Sequence, residues 1–253
     1  MQFQIEAWEH AFHNATGISD SIDCCFDFAR DLGFDAIAYD FSPVPATPEG
    51  EMLIPNVVQM RNIPDEMPDL WCNQGYYRDD PVQNLALKVS RPFFWSYRRE
   101  EPSFIIDMLD GEAKRVTGAL NDWHLTRGIT VPMHLPGNRF ATLTGFWDDY
   151  GFKATGPDRS VNTSGLTLLA QVLHHHLFPR FERKDMLPHG AKLTPREEEC
   201  IVLAAEGLAS KQIAWRLKRS ESTVVMHLAS ATRKLGARNR AQAIARAAHY
   251  GYL

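Results

Sequence analysis

The stretch "TPREEECIVLAAEGLASKQIAWRLKRSESTVVMHLASATRKLG", Thr194 to Gly236, decides how the rear of this chain folds. It opens as a capping box: the Thr194 hydroxyl accepts from the N–H three residues on, Pro195 needs no donor there, and Glu197 reaches back. The spacing predicts a helix to about Glu206, ended by Gly207, which takes the left-handed conformation of a helix stop. "SKQIAWRL" predicts a second, short helix with Ile213, Ala214 and Leu217 inward. Ser220 or Glu221 opens a third, from Ser222 to about Leu235, ended by Gly236. On that helix Val224, Leu228, Ala231 and Leu235 fall at i, i+4, i+7 and i+11 and pack inward, which leaves Thr223, Met226, His227, Ser230, Arg233 and Lys234 facing out. Two helices joined by a short turn, the second flanked by basic groups, form the geometry that lays a helix in the major groove. Hydroxyls and basic side chains there contact phosphates and base edges.

Working outward, charge divides the chain in the same place. Residues 191–253 carry eleven Lys and Arg against five Asp and Glu, a balance of +6, while 1–190 carry 16 against 26, or −10. An acidic body with a basic tail points to a nucleic-acid-binding module on a separate regulatory domain. The total length, 253 residues with 44% hydrophobic content, suffices for one large domain or two smaller ones. No apolar run approaches the roughly 18 residues of a membrane span, and the opening "MQFQIEAWEH" lacks the layout of a secretion signal, so a cytoplasmic protein without a membrane partner is expected. Cys24, Cys25, Cys72 and Cys200 form no CxxC pair and read as free thiols.

Around "FPRFERKDMLPHGAKLTP" an apolar helical pattern gives way to charges, three prolines and a glycine, which sets domain limits of 1–178 and 193–253 with a linker over 179–192. In the first domain "FDAIAYDF", "RGITVPM" and "RFATLTGF" read as strands and "IPNVVQM" as a weaker fourth. "IEAWEHAFHNA", "SIDCCFDFARDLG", "IIDMLDGEAKRVTGALNDW" and Ser164–Leu177 repeat apolar residues at three and four, as helices do. The fold class is α+β: an α-β-α sandwich with a mostly antiparallel sheet, followed by a four-helix helix-turn-helix domain. Within it, "MPDLWCNQGYYRDDP", Met67 to Pro81, gathers Trp71, Tyr76 and Tyr77 ahead of Asp80-Pro81. Asp before Pro is a helix N-cap with proline at the first helical position; it is equally a carboxylate able to accept from a ligand N–H.

The carboxy-terminal 60 residues resemble the DNA-binding domain of LuxR-type transcription factors. The match runs through Thr194, Arg196, Glu197, Glu199, Gly207, Lys211, Ile213, Ala214, Thr223, Val224, His227, Lys234, Leu235, Gly236, Arg240 and Ala243. The resemblance implies that Lys211 joins the DNA-contacting set and that a last helix, about Arg240 to Tyr250, pairs two subunits through the small-residue stripe Ala241, Ile244, Ala245 and Ala248. Val225 and Arg219 depart from the family, which often has Lys at the first position and an apolar residue at the second. Over 20–180, the order Trp71, Asp80-Pro81, Trp95, Gly128, Thr144 resembles the ligand-binding domain of quorum-sensing receptors for N-acyl-homoserine lactones, and "RGITVP" matches that family's Gly-x-Thr-x-Pro strand. By that resemblance Met67, Trp71, Tyr76, Asp80, Trp95, Gly128 and Thr144 surround a small molecule, rings against its carbon skeleton, with Asp80 accepting from an N–H, Trp95 donating to a carbonyl and Thr144 serving either purpose. The lactone receptors place a Trp thirteen residues before the Asp and a Tyr nine before; here Met67 and Trp71 stand there, and Trp123-His124 replaces the usual Phe-Gly. This Met/Trp pair is similar to that of orphan receptors in plant-associated bacteria, which implies a plant-derived compound rather than a lactone.

The run His174-His175-His176 spreads about 100° per residue around a helix and cannot converge on one ion, so it reads as a solvated face. No phosphate loop and no Ser/His/Asp or paired-carboxylate set stands out, and no catalytic residue, metal or cofactor is expected. The expected function is a ligand-responsive transcriptional regulator, an activator by preference, whose partners are a small plant-derived molecule, promoter DNA, a second copy of the chain and RNA polymerase. A lactone receptor is the alternative within that class. An enzyme with a DNA-binding tail and a constitutive DNA-binding protein with a filled core are the alternatives outside it.

Overall fold

A computed structural model describes residues 2–98, 100–101, 103–109, 111, 113–147, 158–188 and 191–253. The first domain begins with α1 (Gln2–Asn14) and α2 (Ile18–Asp31) and enters a five-stranded sheet. Then come β1 (Ala36–Ser42), β2 (Val57–Arg61), the short helices α3 (Met67–Cys72), α4 (Tyr76–Asp79) and α5 (Pro81–Ala86), and β3 (Phe93–Ser96). After them follow α6 (Ala113–Asp122), β4 (Arg127–Leu135), β5 (Arg139–Phe146) and α7 (Asp158–Leu177). The strand order is β2-β1-β5-β4-β3, and every neighbouring pair is antiparallel.

Alternation along the strands divides the core in two. Ile37, Tyr39 and Phe41 of β1 and Ala141 and Leu143 of β5 face α1, α2 and α7. The helices answer with Ile22, Cys25 and Ala29, and with Leu166, Leu169, Ala170, Leu173 and Leu177, spaced for one helical face. Each fully buried Leu or Ile contributes about 1.5–3 kcal/mol by leaving water. On the opposite face Ala36, Trp95, Phe140 and Phe146 meet α3 to α6. Helices therefore cover both faces of the sheet, as an α-β-α sandwich requires.

Three readings of the sequence change. β3 is a four-residue edge strand, too short to display a period of two, and its Trp95 lies opposite Gly128 of β4. The continuous helix expected from Ile105 to Trp123 is a single turn at Ile106–Met108 followed by α6, with Gly111 between them at φ 70°, where only glycine is unstrained. The histidine run is not a solvated face throughout. His174 is buried on the sheet, its Nδ1 2.9 Å from the Tyr39 hydroxyl, and burial pulls it down to about 4; His176 meets Glu9.

The second domain consists of α8 (Pro195–Ala205), α9 (Ser210–Leu217), α10 (Glu221–Lys234) and α11 (Arg240–His249). Both bonds of the Thr194–Glu197 capping box form, Ser220 caps α10 and Asn239 caps α11. Cys200, Ile201, Ile213, Val224, Leu228, Ala231, Leu235 and Ala243 make its core. Val44 and Leu53 of the first domain join that cluster. The segment between β1 and β2 also holds the linker and the second domain by hydrogen bonds. Asn56 donates to the Leu187 carbonyl at 2.6 Å, Arg246 pairs with Glu49, and His249 lies 2.8 Å from the Ala46 carbonyl. The expected linker is tied down as well, since Arg180 donates to the Phe12 and Ala15 carbonyls and Tyr252 donates to that of Ala191.

Candidate functional site

Between the sheet and α3 to α6 the side chains of Met67, Trp71, Asp80, Trp95 and Thr144 converge on one cavity with Ala38, Asp40, Val58, Met60, Val82, Gln83, Tyr97, Leu120 and Phe146. Short helices bring Met67, Trp71 and Asp80 there because each turns within six residues or fewer, so α3 and the start of α5 present these side chains to the same wall. Trp71 meets Tyr77 edge to face at 6.4 Å, and Trp95 lies 4.9 Å from Tyr97 and edge-on to Phe146 at 5.6 Å. The free volume left among them is about 20 Å³, room for one water molecule. The guest-sized void expected from the sequence is thus closed by the protein's own side chains in this conformation.

The polar groups are bonded to one another. Asp80 caps α5, its Oδ1 accepting from the Val82 N–H at 3.0 Å and from the Tyr97 hydroxyl at 2.7 Å. The Trp95 indole is turned inward and donates to Thr130 Oγ1 at 2.9 Å, which in turn lies 2.9 Å from Thr144 Oγ1. Gly128 faces that indole so closely that any side chain there would collide with it. Tyr76 stands outside the cavity, where the Arg115 guanidinium lies 4.8 Å above its ring. Gly128 likewise supports Trp95 rather than lining the space, because the ring covers it.

Sequence reading missed Asp40, Gln83 and Tyr97. Asp40 is 3% exposed and accepts from Tyr77 at 3.2 Å and from Thr142 at 2.5 Å. Burial raises it to about 7, the two hydrogen bonds oppose that shift, and the nearby Asp80 adds to it. Burial likewise raises Asp80 to about 6 against the bonds from Tyr97 and the α5 backbone. The signal for Asp40 was present in "AIAYDF", where a carboxylate shares the alternate face of Ala36 and Ala38. A larger cleft of about 670 Å³ lies between Arg183, Leu187 and Leu193 and the α8–α9 pair, but it is open to solvent and rimmed by the Arg183–Glu198 ion pair.

On α10, Met226 and Arg233 are exposed and Thr223, His227 and Ser230 half-buried at the surface, with Lys211 exposed on α9. Lys234 is committed elsewhere: its ammonium lies 2.7 Å from Glu197, a buried carboxylate at the start of α8. Burial would raise Glu197, but Lys234, the Thr194 N–H and Ser230 together hold it at about 2. Trp215 on α9, 84% exposed, was not anticipated as a surface residue of this module. Ala241, Ala245 and Ala248 form the exposed face of α11, with Ile244 half-buried beside them.

Residues 18–177 match the autoinducer binding domain family and 191–247 match the bacterial regulatory proteins of the luxR family. The transcriptional activator protein BjaR1 of Bradyrhizobium diazoefficiens is 28% identical over 218 residues, covering 86% of this chain and 84% of that protein. RpaR of Rhodopseudomonas palustris, a quorum sensing-dependent regulator, is 28% identical over 220 residues, covering 85% and 82%. The solved structure of SdiA in complex with octanoyl-rac-glycerol shares the fold at a TM-score of 0.61 and 22% identity, covering 98% of this chain and 94% of that one. With both domain families matched in order along one chain, this protein belongs to the LuxR family of ligand-binding transcriptional regulators, not to an enzyme family.

Proposed function

We propose that this regulator senses a small, plant-derived, non-lactone molecule in the cytoplasm and activates promoters as a homodimer in contact with RNA polymerase. The observation that carries the reading is the pair Met67 and Trp71, both buried in the cavity wall at the positions where the lactone receptors it resembles have Trp and Tyr. A thioether in place of the first ring withdraws a fixed N–H donor, and an indole in place of the phenol withdraws a hydroxyl and adds bulk. The ligand enters by displacing side chains, with Met67, unbranched and rotatable about three bonds, the easiest to move.

Coupling to DNA follows the chain itself. β1 and β2 contribute Ala38, Asp40, Val58 and Met60 to the cavity, and the segment joining them touches the interdomain stretch and α11. A ligand that holds these strands in one of two positions shifts the second domain by as much as its affinities for the two states differ. Thr223, Met226, His227, Ser230 and Arg233, with Lys211, form the DNA-facing set, Lys234 being held by Glu197, and Ala241, Ile244, Ala245 and Ala248 form the dimer contact.

That relatives such as RpaR are quorum sensing-dependent favours a second reading, a quorum-sensing receptor of the lactone type that tolerates Met67 and Trp71. Thermal-shift screening of acyl-homoserine lactones beside plant extracts and purified plant metabolites separates the two. Stabilisation by plant compounds alone is expected; stabilisation by lactones alone overturns the proposal.

A further inference from the structure

We propose that the cavity is built for a head group rich in N–H donors, a protonated amine or a primary amide, received by Asp40 and Gln83 beside Asp80. This inference rests on the reading of the cavity as a small-molecule site and names the chemistry of its guest.

Two carboxylates, Asp40 and Asp80, and the amide of Gln83 line the space, each at least 95% buried. Among the described residues no Lys, Arg or His lines the space. Several of the protein's own donors nearby are already engaged. The hydroxyls of Tyr77 and Thr142 donate to Asp40, that of Tyr97 donates to Asp80, and the Trp95 N–H ends on Thr130. The Oε1 of Gln83, by contrast, is buried without any hydrogen-bond partner. A buried acceptor left in that state is costly, and a ligand N–H recovers the loss. Each oxygen of Asp40 accepts one bond from the protein and retains a second lone pair.

Charge points the same way. A guest carboxylate would enter beside two buried acidic groups with no cation to pair with it, which is the costliest arrangement of charge in a dry site. An ammonium meets Asp40 and Asp80 as a counter-ion, and a primary amide supplies two N–H donors without charge. An ester of the same shape offers only acceptors and leaves the Gln83 Oε1 unpartnered. The aromatic wall of Trp71 and Trp95 takes the body of the guest, so the head group alone decides between molecules of equal size.

Isothermal titration calorimetry on the full chain tests this with four probes of one shape: phenethylamine, phenylacetamide, phenylacetate and methyl phenylacetate, with N-octanoyl homoserine lactone as a fifth. The amine or the amide should bind at least fivefold more tightly than both the acid and the ester. Asp40→Asn should remove most of the amine's advantage over the ester, and Gln83→Leu, which keeps the volume, should remove most of the amide's; the melting temperature of each variant shows that it has folded. Equal or tighter binding of phenylacetate or the ester, or preferences unchanged in both variants, overturns the inference. If the lactone binds and neither N–H probe does, this inference fails while the small-molecule reading stands. If none of the five binds, this inference fails, and the small-molecule reading is decided separately by the thermal-shift screen of plant metabolites and lactones.

Discussion

Replacing Asp40 by Asn should stabilise this protein increasingly as the pH rises. Burial holds the folded-state Asp40 at about 7 against an ordinary value of 3.8. A folded-state value raised above the unfolded one means that stability present below 3.8 is lost as pH climbs toward 7, because the unfolded chain ionises freely and the folded chain does not. At pH 5 the folded carboxyl is protonated, and Asn, of the same shape, should differ little from it. By pH 8 the carboxylate must be ionised while buried, and integrating the proton difference gives Asn an advantage that has grown by about 2–3 kcal/mol. The groups around Asp40 are Tyr77, Tyr39, Cys72 and Asp80, and burial raises all four. The more distant His174, at about 4, titrates below this range and cancels between variant and parent, whereas Asp80, at about 6 and coupled to Asp40, ionises more readily once Asp40 is neutral and adds to the advantage of Asn in the same direction. Melting curves of the two proteins at pH 5, 6, 7 and 8 should diverge by about 4–12 °C across the series. Parallel curves, or an Asn variant that loses ground as pH rises, would refute the placement of Asp40 as a buried carboxylate.

The second domain should be acid-labile through Glu197. Held at about 2 by Lys234, the Thr194 N–H and Ser230, it contributes stability above its ordinary 4.5 that is lost as pH falls from there through 2. Glu197→Gln should cost about 2–4 kcal/mol at pH 7 by chemical denaturation and flatten that acid limb. Gly128→Ala places a methyl against the Trp95 indole and should cost about 1–3 kcal/mol, with a changed near-ultraviolet circular dichroism as the ring moves. Lys211→Ala should weaken DNA binding about uniformly across sequences and lower the salt slope by about 1, measured by titrations at several ionic strengths.

The helix-turn-helix domain was legible from the sequence because its signals are local. Thr194 with Glu197, Ser220 with Thr223 and Asn239 with Gln242 each close a hydrogen bond across three residues, and Val224, Leu228 and Ala231 share a face by helical geometry alone. Asp80 before Pro81 announced its cap in the same way, and the alternation of β1, β4 and β5 announced strands. What the sequence left open depends on partners far along the chain. Trp95 reaches Thr130, Asp40 is held by Tyr77 and Thr142, and Lys234 is drawn to Glu197. In each case a side chain that reads as a free donor, an ordinary strand residue or a DNA contact is claimed by a group that only the packing of sheet on helix, or helix on helix, brings near. The closing of the cavity to the volume of one water is of the same kind. Local spacing fixes which residues can face a common space, but how much space remains is set by the sum of side-chain volumes meeting from separate elements.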